Sequence, residues 1–412
     1  MDDKRPSDRE VALAAFVAVA VFVGTWTVLH YGFYTHRQII DTPVYQHYGN
    51  EIADGKVPYR DFALEYPPGA LPMFALPGLV SHGGQNQDVK PAFRRTFETL
   101  MWMCGAIALI AMALTIRVVG GALWPPLLFA ALAPLALGTV ILSRFDLWPA
   151  ALASAALAAL VSTRFRLGHV LLGLATAAKF YPGVLVPLAV AYVWKRRGRH
   201  EALVCLALTL GVFALVVVPF LVLAPHGVWH SVRVQLERPL QVESLGAAFL
   251  LVAHNVFGFA LAGETSHGSQ NIAGGAAHAV ALVSSIVQAA VLAWIWWAYA
   301  RGPATASALV RASAAAICAF VAFGKVLSPQ FLIWLIPVVP LVRGRRGLWA
   351  SVLLLAAVVL TQVWFPFRYF RLALDFEAGL SWVLLARDLV LVSLVLVLLP
   401  HRWRRGDVSA PA

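Results

Sequence analysis

Of the 412 residues, 60% are hydrophobic and 13% charged, with a mean hydropathy of +0.76, a balance that excludes an ordinary soluble domain. The formal net charge is +12, but the basic residues sit in short loops between apolar runs, so the charge reports membrane topology rather than nucleic-acid binding. Cys104, Cys205 and Cys318 fall inside apolar segments without paired spacing, which leaves neither a disulfide framework nor a zinc site.

Apolar runs follow one another almost end to end, with no Ser/Pro-rich linker or long charged tail, so the chain reads as one integral membrane domain over 1–412. The first run, Val11 to Phe33, follows Lys4, Arg5 and Arg9 but is too long for a signal peptide and lacks a small-x-small cleavage site, so it is expected to remain as a span. Crossing a ~30 Å hydrocarbon core takes about 20 apolar residues. The runs of that length are 11–34, 97–118, 123–142, 201–224, 277–300 and 380–400, with 147–163 and 348–364 slightly short.

Basic clusters at Lys195-Arg196-Arg197-Gly198-Arg199, Arg343-Gly344-Arg345-Arg346 and Arg402-Trp403-Arg404-Arg405, with the basic N-terminus, are expected to be cytoplasmic, which puts both termini inside. Between Arg166 and Lys195 an apolar stretch is interrupted at Lys179-Phe180-Tyr181-Pro182. Between Arg311 and Arg343 another is interrupted at Lys325-Val326-Leu327-Ser328-Pro329-Gln330. Each reads as a pair of half-length helices, because a lysine beside a proline at mid-bilayer costs at least ~2.5–3.5 kcal/mol unless it reaches water or a partner. The breaks are therefore expected to face an outward-open cavity.

On this topology the first outer loop (35–66), Ser143-Arg144-Phe145-Asp146, the long outer loop 225–276 and Phe365 to Gly379 share the outer face. The piece 67–81, with four prolines, is expected to be a re-entrant or surface helix. The alternative is a single kinked span over 167–194, which would put Asp146 inside. No internal repeat is visible, which argues against an inverted-repeat transporter. Abundant Ala and a preference for Arg over Lys point to a GC-rich bacterial genome and hence to the plasma membrane.

Asp41 closely follows the first span and is accompanied by Tyr45, His47, Tyr48, Glu51 and Asp54. A carboxylate there can take a proton from a substrate hydroxyl while aromatic neighbours pack on a sugar ring; the plainer reading is a solvated loop aspartate. Asp54-Gly55 reads as a turn. Glu65 precedes Tyr66-Pro67-Pro68, where the chain is held extended, and either contacts substrate or neutralises Arg60.

Lys179 and Lys325 make sense at membrane depth if an anion meets them, a lipid phosphate being the obvious one. Arg144 and Arg238 would add guanidinium donors that match phosphate oxygens. The alternative for each lysine is an internal salt bridge with Asp146 or Glu243. Gln241, Glu243 and Ser244 precede the apolar run 245–262, whose start Ser244 is expected to cap. His230, His254, His267 and His278 show no metal-ligand spacing, and there is neither an Asp-x-Asp pair nor a phosphate-binding glycine loop.

In order, Asp41-Thr42-Pro43-Val44-Tyr45, Glu65-Tyr66-Pro67-Pro68, Ser143-Arg144-Phe145-Asp146, Lys179-Phe180-Tyr181-Pro182, Gln241-Val242-Glu243-Ser244 and Lys325-Val326-Leu327-Ser328-Pro329-Gln330 resemble the GT-C superfamily of membrane glycosyltransferases. The branch they resemble most is glycosyltransferase family 87, which includes polyprenyl-phosphate-mannose-dependent mannosyltransferases. The resemblance implies an all-α polytopic bundle of roughly 10–13 transmembrane or half-membrane helices around an outward-facing cavity. It implies an enzyme that moves a sugar, mannose first among candidates, from a polyprenyl-phosphate carrier to a glycolipid or glycan hydroxyl, with inversion.

On that resemblance Asp41 matches the position of the base. Arg144, Lys179, Tyr181, Lys325 and Gln330 are expected around the donor phosphate, and Tyr45, Glu65, Tyr66, Asp146 and Glu243 around the rest of the substrates. A monophosphate leaving group beside cationic side chains requires no metal or other cofactor. The competing readings are a lipid-linked sugar flippase, which would need the lysines but no base, and a ligase joining preassembled glycans from a diphosphate carrier.

Overall fold

The computed structural model describes residues 6–35, 39–81 and 89–399. The basic residues Lys4 and Arg5 and the cluster Arg402–Arg405 lie outside the described residues. Within them, six helical segments are long and apolar enough to cross a membrane: Asp8–Val28, Pro91–Val119, Tyr181–Leu223, Gly275–Arg301, Gly344–Trp364 and Ala378–Leu398. Seven shorter apolar helices pack among them. The protein is an all-α, multi-pass membrane bundle, as expected.

Local sequence sets where these helices begin and end. Ser7 caps Asp8–Val28 in a capping box, its Oγ accepting from Glu10 N at 3.3 Å while Glu10 Oε2 accepts from Ser7 N at 2.7 Å. Gly198, at φ +85°, breaks the helical run Val186–Leu223 and turns the chain at the basic cluster. Lys179 is extended between the helix Phe165–Ala178 and the turn Tyr181–Leu185. The two legs on either side of Lys179 return to the same end, where Phe165 packs edge-on to Tyr192 at 6.0 Å and the Arg197 guanidinium lies 5.8 Å from the Phe165 ring. The expected hairpin of half-length helices is thus formed, and the single kinked span over 167–194 is not.

The basic clusters collect at one end of the bundle. Arg117 meets Asp8 at 2.6 Å, Arg343 donates to the Val119 carbonyl at 2.7 Å, and Lys195 donates to Gly302 O at 2.5 Å. Arg117 and Arg164 line one groove on this end. The helix Leu147–Val161 carries the chain from Asp146 towards Arg164, so Asp146 and Lys179 belong to the opposite end.

Two expectations about spans need correction. The run 123–142 is not one helix but Trp124–Leu137 followed by Val140–Ser143, because Pro134 weakens the ladder and Gly138 leaves the helical region at φ +65°. Gln362 Nε2 donates to the freed Leu137 carbonyl at 3.0 Å. The run 348–364 starts earlier than hydropathy suggests, at Gly344, because Arg345 and Arg346 occupy its first turn.

The piece 67–81 forms the ten-residue helix Pro72–Ser81, roughly 15 Å long and too short to cross. It stays at the cavity end, where Lys90 N donates to Gln46 at 2.7 Å and Lys90 Nζ to Ser81 O at 3.3 Å. The long segment 225–276 holds helices Pro225–Leu236 and Leu245–Phe257, the latter capped by Ser244 Oγ as expected. It also holds a small sheet, an addition to the all-helical expectation. Strands β1 (Leu240–Gln241), β2 (Ala262–Ser266) and β3 (Ser269–Ala273) pair antiparallel in the order β1-β3-β2.

Candidate active site

A cavity of about 410 Å³ opens at the end opposite the basic clusters. Of the residues expected at the site, Asp41, Tyr45, Glu65, Tyr66, Arg144, Asp146, Lys179, Glu243 and Gln330 line it. Tyr181 and Lys325 do not.

Asp41 occupies the position of a helix cap for Thr42–Ala53, but its backbone is at φ −98°, ψ −4° and its side chain makes no capping bond. The carboxylate turns instead into the cavity mouth, where it is ion-paired with Arg144 Nη1 and accepts from Tyr45 Oη at 3.4 Å. Its side chain keeps 30% exposure, so Asp41 is a carboxylate in reach of solvent and of a bound hydroxyl rather than a buried structural group.

Arg144 and Asp146 flank Phe145, whose fully buried ring anchors them. Phe145 packs edge-on to Tyr66 at 4.9 Å, Phe74 at 5.4 Å and Tyr45 at 5.8 Å, pairs worth roughly 0.5–1.5 kcal/mol each beyond burial. Tyr45 is itself 1% exposed and stacks on Phe74 at 4.7 Å. Its ring therefore supports the cavity wall and is not an open platform for a sugar, which corrects that part of the expectation.

Arg144 is buried, and burial pushes its guanidinium down to about 10, still charged at neutral pH. Its Nη1 is taken up by Asp41, and its Nε has no hydrogen-bond partner.

Lys179 realises the internal-salt-bridge alternative. Its ammonium donates to Asp146 Oδ1 at 2.6 Å and lies 4.7 Å from the Phe145 ring and 5.1 Å from Trp334. Burial pushes the ammonium down and Asp146 partly restores it. Trp334 Nε1 donates to the same Oδ1 at 2.6 Å. Tyr181 stacks on Trp334 at 4.0 Å, beneath the cavity floor rather than in it.

Lys325 is also corrected. Its ammonium donates to the Leu236 carbonyl at 2.8 Å outside the cavity. The third cation of the cavity is Arg238, pushed down by burial, with Nη2 donating to Ser269 Oγ at 3.2 Å and Nε unpartnered. Glu65 does not pair with Arg60, which binds Asp61 at 2.9 Å; it remains in the cavity lining.

Deeper in, Glu243 is 1% exposed and is bonded by Gln241 Nε2, which also donates to Ser328 Oγ at 2.8 Å. Burial pushes the Glu243 carboxyl up to about 8, against the pull of Arg387, Arg238 and Arg144. Arg387 Nη2 donates to the Glu243 carbonyl at 2.8 Å and pairs with Asp388 at 2.9 Å, both side chains fully buried within Ala378–Leu398.

Sequence reasoning passed over further polar lining residues, among them Gln235, Thr265, Ser269, Gln270 and Tyr369, and considered His267 only as a metal ligand. His267 and Gly268, at φ +53° and +65°, form the two-residue turn between β2 and β3. That tip sits over the cavity, with Glu65 Oε2 3.9 Å from where a Gly268 side chain would begin. A His-Gly pair between two short polar alternating runs was the available signal. Among the described residues, no group of three or more His, Cys, Asp or Glu is placed to hold a metal ion.

The sequence model of Glycosyltransferase family 87 matches residues 64–329, well over half of the chain and most of the cavity lining. The chain belongs to glycosyltransferase family 87. Membership makes it a membrane glycosyltransferase, in agreement with the resemblance carried by its motifs. Among solved structures, it is similar to the crystal structure of ArnT from Cupriavidus metallidurans bound to undecaprenyl phosphate. The two share 15% identity at a TM-score of 0.48, over 95% of this chain and 77% of that one. No curated protein matches the chain at a significant level.

Proposed function

We propose that this family 87 enzyme transfers a sugar, mannose as first candidate, from a polyprenyl monophosphate carrier to a hydroxyl of a glycolipid or glycan. The observation that carries the reading is the meeting of Asp41, at the cavity mouth, with Arg144, Lys179 and Arg238 in one cavity that also has apolar walls at Ile39, Phe180 and Phe370. The cations suit a lipid phosphate, the apolar rim suits its tail, and the carboxylate suits an acceptor hydroxyl.

In the proposed reaction the acceptor oxygen attacks the anomeric carbon as its proton passes to Asp41. The bond from that carbon to the phosphate oxygen breaks with inversion, and the electron pair leaves on the phosphate. Arg144 and Arg238, each with an unpartnered N–H, stabilise the charge that develops there. As phosphate engages Arg144, the ion pair to Asp41 loosens and the carboxylate is freed to take a proton.

Orientation follows the positive-inside rule: the basic end lies in the cytoplasm and the cavity faces outward across a bacterial plasma membrane. The cationic side chains do the work a divalent ion would do, so the reaction is metal-independent. Transfer from synthetic polyprenyl-phosphate mannose by purified protein in lipid should survive a strong chelator. Loss of transfer restored by magnesium or manganese would contradict this.

A further inference from the structure

Buried polar atoms without partners are uncommon, and where they cluster they mark the place of something that completes them. Four line this cavity: Arg144 Nε, Arg238 Nε, His267 Nδ1 and Gln241 Oε1. The first two are cationic donors suited to phosphate. Gln241 differs: it is 3% exposed, and its NH2 group is committed to Glu243 and Ser328, which fixes the amide orientation. Its oxygen is thereby left as a buried acceptor in the cavity wall with nothing to accept from. Beside it Glu243 offers a second acceptor, buttressed through its own carbonyl by Arg387.

We propose that Gln241 and Glu243 form the sugar subsite of this transferase, accepting hydrogen bonds from two ring hydroxyls of a neutral, hydroxyl-rich donor sugar while Arg144 and Arg238 hold the phosphate. The inference rests on the polyprenyl-phosphate donor reading and adds which residues choose the sugar. Neutrality follows from the guanidinium groups of Arg144, Arg238 and Arg387 around Glu243; a sugar bearing an ammonium group would set a further cation beside them. Discrimination should be sharp, because a site built to bond a hydroxyl rejects the analogue that lacks it by leaving a buried acceptor unpaired.

The test compares polyprenyl-phosphate mannose with analogues lacking one ring hydroxyl at a time. Purified parent, Gln241→Leu and the isosteric Glu243→Gln in nanodiscs are used, with sugar-free polyprenyl phosphate as a binding probe. The parent should use at least one deoxy donor tenfold or more worse than the full sugar. Each variant should lose discrimination at one position while binding the sugar-free lipid within twofold of the parent.

If both variants keep the parent's full pattern of discrimination, or weaken the sugar-free lipid as much as the donor, the subsite is wrong. Preference of the parent for an amino-sugar donor would overturn the neutral assignment. Failure of the parent to transfer from any lipid-linked sugar would overturn the donor reading itself, and the subsite with it. Should Gln241→Leu not fold, Glu243→Gln alone decides.

Discussion

Lys179 Nζ lies 2.6 Å from Asp146 Oδ1, with Trp334 Nε1 at 2.6 Å on the same oxygen. The pair fastens the break between two half-length helices to the loop that carries Arg144. Removing one partner leaves a buried charge without compensation, so Asp146→Asn or Lys179→Met should each cost about 3–5 kcal/mol, and the double variant less than their sum. Thermal unfolding of the four proteins in one lipid nanodisc composition measures the coupling. Additive losses would show that the two groups do not act as a pair.

Arg144 presents a planar fork whose Nη1 meets Asp41 and whose Nε has no hydrogen-bond partner. Arg144→Lys keeps the charge but not the fork. The donor KM should rise at least tenfold, about 1.4 kcal/mol, with the acceptor KM within twofold of the parent. Initial rates at varied donor and acceptor check this, and an equal effect on both substrates would remove Arg144 from the phosphate.

Gly69 holds the Glu65-Tyr66 segment against the end of the helix that leads to Lys179. Its carbonyl accepts from Trp148 Nε1 at 3.0 Å, and a Cβ there would lie 2.5 Å from the Ala177 carbonyl carbon. Backbone cannot yield as a side chain can, so Gly69→Ala should destabilise by roughly 1–3 kcal/mol and lower donor use. A variant that melts with the parent would show that the contact is loose.

Glu243 keeps its proton in the folded protein up to about pH 8, whereas its ordinary value is 4.5. Between those pH values the folded state binds more protons than the unfolded state, so this group makes stability fall as pH rises. Glu243→Gln should flatten that part of the stability profile. A variant with the parent's slope between pH 5 and 8 would place the titration elsewhere.

Much of the cavity was legible because polar residues stand out in an apolar background: Asp41, Glu65, Arg144, Asp146, Gln241 and Glu243 all punctuate hydrophobic runs, and all reach the cavity. What each does on arrival was not legible, since it depends on residues far away in the chain. Lys179 finds Asp146 across 33 positions, Lys325 turns to a carbonyl of a neighbouring helix, and Tyr45 is absorbed into an aromatic core. Arg387-Asp388 was passed over because the run around it is apolar enough to span. Two adjacent opposite charges inside such a run are themselves a sign of a buried polar network. The break at Gly138 was hidden because hydropathy averages across a glycine, while backbone geometry does not.

The central claim is that Asp41 is the base of a lipid-linked sugar transfer, and the most direct measurement is transfer by purified protein in lipid. Parent and Asp41→Asn would be offered polyprenyl-phosphate mannose with mixed glycolipid acceptors. Product from the parent and a loss of at least about 10²-fold in Asp41→Asn, with donor still bound, is the predicted result. Full activity in Asp41→Asn would contradict it, as would movement of the lipid-linked sugar across sealed vesicles without any product.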